Sequence, residues 1–300
     1  SGASAQRVLA SIQAVDRYER RHHSNVHRGS HTLSAEATEA YEGARATVAD
    51  HLGAGDRREV IFVRNATEAI NLVAYSWGRA NLTAGDVVVL SEMEHHANIV
   101  PWHMLATERG IELRWIPLTD DYRLDVSGLD ELLAGAKLLA VTAMSNVLGT
   151  VNDVPALVAA ARAAGAHVLI DASQAAPPLP IDVQAWDADF VAVTAHKMLG
   201  PSGIGALWAK REHLDAMPPF LGGGEMIRDV RKDGFTTNDV PWKFEAGTPA
   251  ITEAIGWHAA LDYLEGVGLD AVHAHEQAIT AYALDALRAE FSDRLTVYGP

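Results

Sequence analysis

The chain has 300 residues, of which 24 are Lys or Arg and 39 are Asp or Glu, a formal net charge of −15. That acidity argues against a nucleic-acid partner, because gripping a phosphate backbone requires clustered cations. The absence of cysteine excludes disulfides, thiolate zinc sites, iron–sulfur ligation and a cysteine nucleophile within these residues. Hydrophobic content of 48% and charged content of 21% suit a globular chain with a sizeable core. No apolar run approaches the roughly 18 residues of a membrane span.

In chain order, the opening Ser1-Gly2-Ala3-Ser4 lacks an initiator Met. A helix is expected from Ser34 as N-cap, with Ala37, Tyr41, Ala44, Val48 and Leu52 along one face and Gly53 as its stop. Strand-length apolar runs then recur at Glu59–Arg64, Asp86–Leu90, Ile111–Pro117, Leu138–Ala143, His167–Ile170, Phe190–Thr194 and Ile204–Ala209. Several are continuous rather than alternating, the pattern of a parallel sheet covered by helices on both faces. Asp153 and Pro155 open a helix with Val154, Leu157, Val158 and Ala161 as its apolar stripe, and Gly165 ends it. After Ala246-Gly247-Thr248-Pro249 the pattern is helical to about Glu290. The run Arg294–Val297 reads as a strand in need of a partner, which predicts further chain after Pro300. The expected organisation is an N-terminal arm (1–20), a large domain (21–262) and the start of a smaller α+β domain (263–300).

Ligands in open parallel sheets bind beyond the carboxyl ends of the strands. One such end is Asp171-Ala172-Ser173-Gln174, and the next is Thr194-Ala195-His196-Lys197. Asp171 and Lys197 form either a salt bridge at the sheet rim or a Schiff-base lysine beside the carboxylate that protonates a pyridine ring, the arrangement that tunes pyridoxal 5′-phosphate (PLP). Ala66-Thr67, opening a helix after Arg64-Asn65, suits a phosphate through free N–H groups and the helix dipole, although a Thr so placed, read alone, is more often a simple N-cap. His95, after another strand end, offers a flat ring to stack on a cofactor. His23, His27 and His31 have helical spacing, but Gly29 and Ser30 interrupt any helix between the last two, and no tight ligand motif is present, so no metal is expected.

Six segments together resemble the SufS-type (group II) cysteine desulfurases, class V, fold-type I PLP enzymes. They are Val26–Thr38, Glu94–Pro101, Ser145–Thr150, Asp171–Gln174, His196-Lys197 with the following Gly-Pro-x-Gly-Ile-Gly, and Phe244–Pro249, collinear over essentially the whole chain. The resemblance implies an α/β fold, the fold-type I large domain with a mostly parallel seven-stranded sheet, plus the beginning of the small domain. It implies Lys197 as the PLP lysine, Asp171 at the pyridine nitrogen, and Gln174 and Asn146 near the phenolic oxygen. By the same resemblance His95 is expected to stack on the ring and later move protons. The resemblance further implies that Ala66-Thr67, Thr194 and His196 bind the phosphate, that Thr248 reaches the phosphate of a neighbouring subunit, and that His27 and Arg28 line the substrate entrance. A cytoplasmic homodimer acting on L-cysteine and passing sulfur to an acceptor protein for iron–sulfur cluster assembly is the implied activity, with no membrane partner.

The sequence departs from that family in three places. Ala66-Thr67 stands for two consecutive Thr, and Thr194-Ala195 for Ser-Gly. The nucleophilic cysteine is missing, so a chain cut before it is the expectation. The rival readings are a Cys-independent class V enzyme, such as a C–S lyase or selenocysteine lyase, and a PLP-binding or partner-binding protein without turnover.

Overall fold

The computed structural model describes residues 2–27 and 29–300. Seven strands form the main sheet: β1 (Val60–Val63), β2 (Val87–Ser91), β3 (Glu112–Ile116), β4 (Ala136–Thr142), β5 (His167–Asp171), β6 (Phe190–Thr194) and β7 (Gly205–Ala209). Their order across the sheet is β1-β7-β6-β5-β4-β2-β3. From β3 through β6 all pairings are parallel, whereas β7 runs antiparallel to both neighbours. All seven predicted strands are present, and the sheet is mostly parallel as expected.

The continuous apolar character of the strands has a direct cause. Val60, Val89, Val141, Val168 and Val191 pack into one apolar cluster, while Ile61, Val88, Leu90, Leu169 and Phe190 pack into another, so alternate residues serve opposite faces. Helices Thr32–His51, Val154–Ala163 and Ile251–Val267 contribute to the first cluster, and helices Ala66–Leu72 and Val100–Arg109 to the second. Gly53 and Gly165 terminate their helices at φ of 65° and 78°, as read from the sequence.

Some boundaries differ. The helix expected from Ser34 begins at Thr32, because the His31 side chain is the cap and accepts from Ser34 N–H. Ser34 is buried, and its hydroxyl instead accepts from Gly29 N–H at 3.0 Å and donates to Asn25 O at 2.9 Å. Residues 295–300 form no strand and pair with none of the described strands; an isolated strand leaves its backbone groups unpaired. A hairpin of β8 (Ile227–Arg231) and β9 (Gly234–Thr237) adds to the expected elements, with Asp233-Gly234 as a turn signal between two short runs. Helix Leu9–Arg21, placed in the arm by sequence, packs on helix Ile251–Val267. Helix Leu269–Phe291 buries none of its residues, and no described helix is long and apolar enough to cross a membrane.

One ion pair fastens the sheet edge. Arg45, fully buried in helix Thr32–His51, donates to Glu245 through Nη1 at 2.5 Å and Nη2 at 2.9 Å, and to the Val60 carbonyl at 2.9 Å. Glu245 also accepts from Phe62 N–H at 2.7 Å and from the Tyr41 hydroxyl at 3.0 Å. Removing one partner would strand a buried charge, so Glu245→Ala is expected to lose about 3–5 kcal/mol in urea unfolding. Arg45→Met combined with Glu245→Leu should cost less than Glu245→Ala alone. A larger loss in the double variant would contradict this account.

Candidate active site

A cavity of about 530 Å3 opens at the carboxyl ends of the parallel strands and gathers residues from six separate segments. β5 delivers Asp171, 5% exposed, with Oδ1 accepting from Ser173 N–H at 3.0 Å. β6 delivers Thr194, followed by the 3-10 turn Ala195–Lys197. The Ala195 carbonyl accepts from both Met198 N–H at 2.9 Å and Gly200 N–H at 3.0 Å, and this tight turn aims Lys197 back at Asp171's end of the sheet. Lys197 is half-buried; burial pushes its amine down, and the charge of Asp171 offsets this only in part. His196 is lowered by burial and then by the Lys197 charge.

The end of β1 supplies the opposing wall. Asn65 caps helix Ala66–Leu72, its Oδ1 accepting from Glu68 N–H at 3.0 Å, so Thr67 is not the cap. The N–H groups of Ala66 and Thr67 lie in the first turn, where no intrahelical acceptor exists. Gly205 allows this turn to sit close to β7. A Cβ there would lie 2.7 Å from Val193 O and 2.8 Å from Asn65 Cα, both backbone atoms. His95 and Asn146 complete the lining. Ala97 N–H donates to His95 Nδ1 at 3.1 Å, which leaves Nε2 to carry the proton of the neutral ring.

Two hydroxyls of lining residues, Ser173 Oγ and Thr194 Oγ1, are buried with no hydrogen-bond partner among the described residues. Unsatisfied buried donors are costly, and their convergence beside a lysine and a carboxylate marks a polar ligand position.

Sequence reasoning did not find the segment at residues 2–5. Gly2 and Ala3 line the cavity, Ala5 N–H donates to His196 O at 3.0 Å, and the Ser4 hydroxyl donates to the same carbonyl at 3.2 Å. Gln174 Nε2 donates to the Gly2 carbonyl at 2.6 Å, so in this chain its amide tethers the N-terminal segment. No sequence signal marked this contact, because it joins residues 172 positions apart.

Other expected residues lie elsewhere in the protomer. Thr248 lines a separate cavity of about 380 Å3 with Arg64, Glu68 and Phe220, on the other side of the 64–68 turn. His27 lines neither cavity; its Nε2 meets Glu42 Oε1 at 3.0 Å and its Nδ1 meets Glu225 Oε1 at 3.1 Å. Arg28 lies outside the described residues. A further titratable cluster, His167, Asp189 and His213, has its ligating atoms within 4.8 Å of one another. Arg162 Nη2 and Val168 N–H already donate to Asp189 at 2.8 and 2.7 Å, and the cluster stands at the amino ends of β5 and β6, opposite Lys197.

The whole chain, residues 1–300, matches the aminotransferase class-V family. The chain belongs to that family. It is 52% identical to a cysteine desulfurase of Dickeya dadantii, covering all of this chain and 73% of the relative. It is 50% identical to a probable cysteine desulfurase of Streptomyces coelicolor, covering all of this chain and 72% of that protein. Among solved structures, the apo cysteine desulfurase of Thermococcus onnurineus superposes with a TM-score of 0.95 at 38% identity, over 100% of this chain and 74% of the other. The Escherichia coli cysteine desulfurase CsdA gives 0.90 at 40% identity, over 95% and 72%. The fold-type I assignment and the cysteine desulfurase kinship read from the six motifs are therefore correct.

In this family fold, Glu94 is a buried carboxyl beside the site, raised to about 8 by burial and by the Asp171 charge, against hydrogen bonds from Ser91, Asn98 and Thr142. The folded state holds this proton more tightly than the unfolded chain, with its ordinary value of 4.5. The contribution is therefore full below pH 4.5 and is lost as pH rises through 8. Unfolding free energy measured from pH 5 to 8 should carry a downward component, and the Glu94→Leu profile should lack it. Parallel profiles for the two proteins would refute the assignment.

Proposed function

We propose that this chain builds the PLP site of a cysteine desulfurase, releasing L-alanine from L-cysteine and passing the sulfur to a thiol. The observation that carries the reading is the cavity joining Lys197, Asp171 and the two partnerless hydroxyls of Ser173 and Thr194 in a chain of this family. The donor set fits the cofactor. Lys197 Nζ would hold it covalently, Asp171 would accept from the ring nitrogen, and Asn146 would lie near the phenolic oxygen; Gln174, which the resemblance also places there, has its Nε2 on the Gly2 carbonyl. His95 would cover the ring. Thr194, Thr67 with the N–H groups of the 66–67 turn, and His196 would take the phosphate. Bound there, PLP supplies an electron sink for charge developing at the substrate Cα.

The residues do the rest. Burial of Lys197 lowers its amine toward the range where it can accept and return the Cα proton. The ionised form of Asp171 favours a protonated ring nitrogen. With Nδ1 engaged by Ala97 N–H, the Nε2–H of the neutral His95 ring would remain as a donor for the ligand. In the sulfur step, a thiol RSH takes sulfur from L-cysteine, giving RSSH and L-alanine; the S–Cβ bond breaks, an S–S bond forms and Cβ gains a proton. These 300 residues contain no cysteine to serve as RSH. They span 72% and 73% of the length of the two curated relatives above, and a Cys-independent C–S or selenocysteine lyase, which would need no such thiol, is the alternative reading. The family resemblance further supports a cytoplasmic homodimer in which Thr248 serves the partner's phosphate, with a protein sulfur acceptor feeding iron–sulfur assembly.

Borohydride treatment of protein loaded with PLP should fix the cofactor on the peptide containing Lys197, and Lys197→Ala should abolish both the fixation and the visible band. A colourless preparation would sink the assignment. With L-cysteine and excess thiol, alanine should be the product; pyruvate as the main product would select the lyase. Gly205→Ala, which drives a methyl into Asn65 and Val193, should weaken PLP binding by roughly ten-fold or more. Unchanged affinity there would separate the 65–67 turn from phosphate binding.

A further inference from the structure

Glu94 precedes His95 in the turn after β2 and is 7% exposed. Among the described residues it is hydrogen-bonded only to neutral groups. A carboxyl buried in this way is tolerable when its oxygens are engaged, and both are. Oε1 accepts from the Thr142 backbone N–H at 2.8 Å and meets the Ser91 hydroxyl, while Oε2 accepts from Asn98 Nδ2 at 2.8 Å. The Asn98 amide has one possible orientation. Trp102 Nε1, a group that only donates, lies 3.1 Å from Asn98 Oδ1, so Nδ2 must face Glu94. Thr142 and Asn98 thus require an acceptor at each oxygen. The Ser91 contact alone has room for a proton on either side.

These partners stand on the segments that carry the groups facing the cofactor. Ser91 ends β2. Asn98 N–H donates to the His95 carbonyl at 2.8 Å, closing the turn that presents the imidazole. Thr142 ends β4, its hydroxyl 3.3 Å from the Asp171 carbonyl, to which Ala143 N–H also donates at 2.9 Å. One side chain therefore spans from the backbone of His95 to the segment that holds Asp171.

We infer that Glu94 is a positioning residue, fixing the His95 turn against the strand ends that carry Asp171 so that both groups are set for one cofactor ring. The inference rests on the PLP reading above. Glu94 itself contributes no atom to the reaction.

The hydrogen-bond pattern gives a sharp test. In Glu94→Gln the new amide nitrogen faces either Thr142 N–H or Asn98 Nδ2, a donor against a donor in both orientations. Adding Asn98→Asp removes the conflict. The introduced amide then donates to the introduced carboxylate, which restores the contact with its direction reversed. Thr142 regains its acceptor, and Trp102 keeps one. The parent protein, Glu94→Gln, and Glu94→Gln with Asn98→Asp are loaded with PLP. Each is compared by visible circular dichroism of the bound cofactor, by PLP affinity and by Tm. Glu94→Gln should bind PLP roughly ten-fold more weakly, with its visible dichroism reduced at least about two-fold, and the double variant should recover both. Parental dichroism and affinity in Glu94→Gln would overturn the inference. So would a double variant that regains Tm without the visible signal. Should Glu94→Gln fail to fold, the double variant decides: folding with parental dichroism supports the inference, and failure to fold overturns it. A parent protein that takes up no PLP would sink the cofactor reading and the inference with it, an outcome read from the parent alone.

Discussion

The buried pair of Arg45 and Glu245 is the constraint on which the site side of the molecule depends. A guanidinium with no exposure is stable only when its donors are met, and here they are met by carboxylates and a strand carbonyl. The same Glu245 holds the Phe62 N–H of β1 and the Tyr41 hydroxyl. Helix Thr32–His51, the edge strand and the strap that leads to Thr248 are therefore locked at one point. β1 then runs directly into the 64–68 turn, whose two sides form walls of two cavities. Glu42, which also bonds Arg45, extends the lock to His27: burial alone would raise this carboxyl, but hydrogen bonding from His27 and the Arg45 charge hold it at about 2.

The cavity opposes this well-satisfied edge with groups that the protein leaves unsatisfied. Among the described residues the Ser173 and Thr194 hydroxyls lack partners, and Lys197 sits where burial disfavours its charge. A fold that satisfies Arg45 so completely can carry these costs at one location, and such concentration marks a binding site. Glu94 belongs to the supporting structure behind it, with every oxygen engaged.

Much of this was legible in sequence for local reasons. β2, β4, β5 and β6 are continuous apolar runs because both faces of a parallel strand are covered, and the helix from Asp153 carried its cap and its stop. Asp171, Lys197 and His95 stood out because strand ends in such sheets are followed by ligand-binding residues, whereas Asn146 entered only through the family resemblance. The His31 cap was not legible because Ser34 is the better intrinsic cap, and only burial against Asn25 and Gly29 redirects its hydroxyl. The antiparallel course of β7 was invisible, since an apolar run has no direction. The role of the 2–5 segment was invisible too, since Gly2 and Ala3 have no chemistry of their own until a fold places them beside Gln174 and His196.

Sequence alone accounts for the seven strands of the main sheet, the helix from Asp153, the acidic and thiol-free character, and the polar residues set at the strand ends. These follow from residue type and short-range periodicity. Tertiary structure alone decided which of those side chains share a cavity, which hydroxyls are left without partners, and that His27 and Thr248 stand away from Lys197 in the protomer. Those outcomes depend on contacts between residues far apart in the chain, and their energies arise from burial and from the geometry of hydrogen bonds, neither of which a one-dimensional pattern contains.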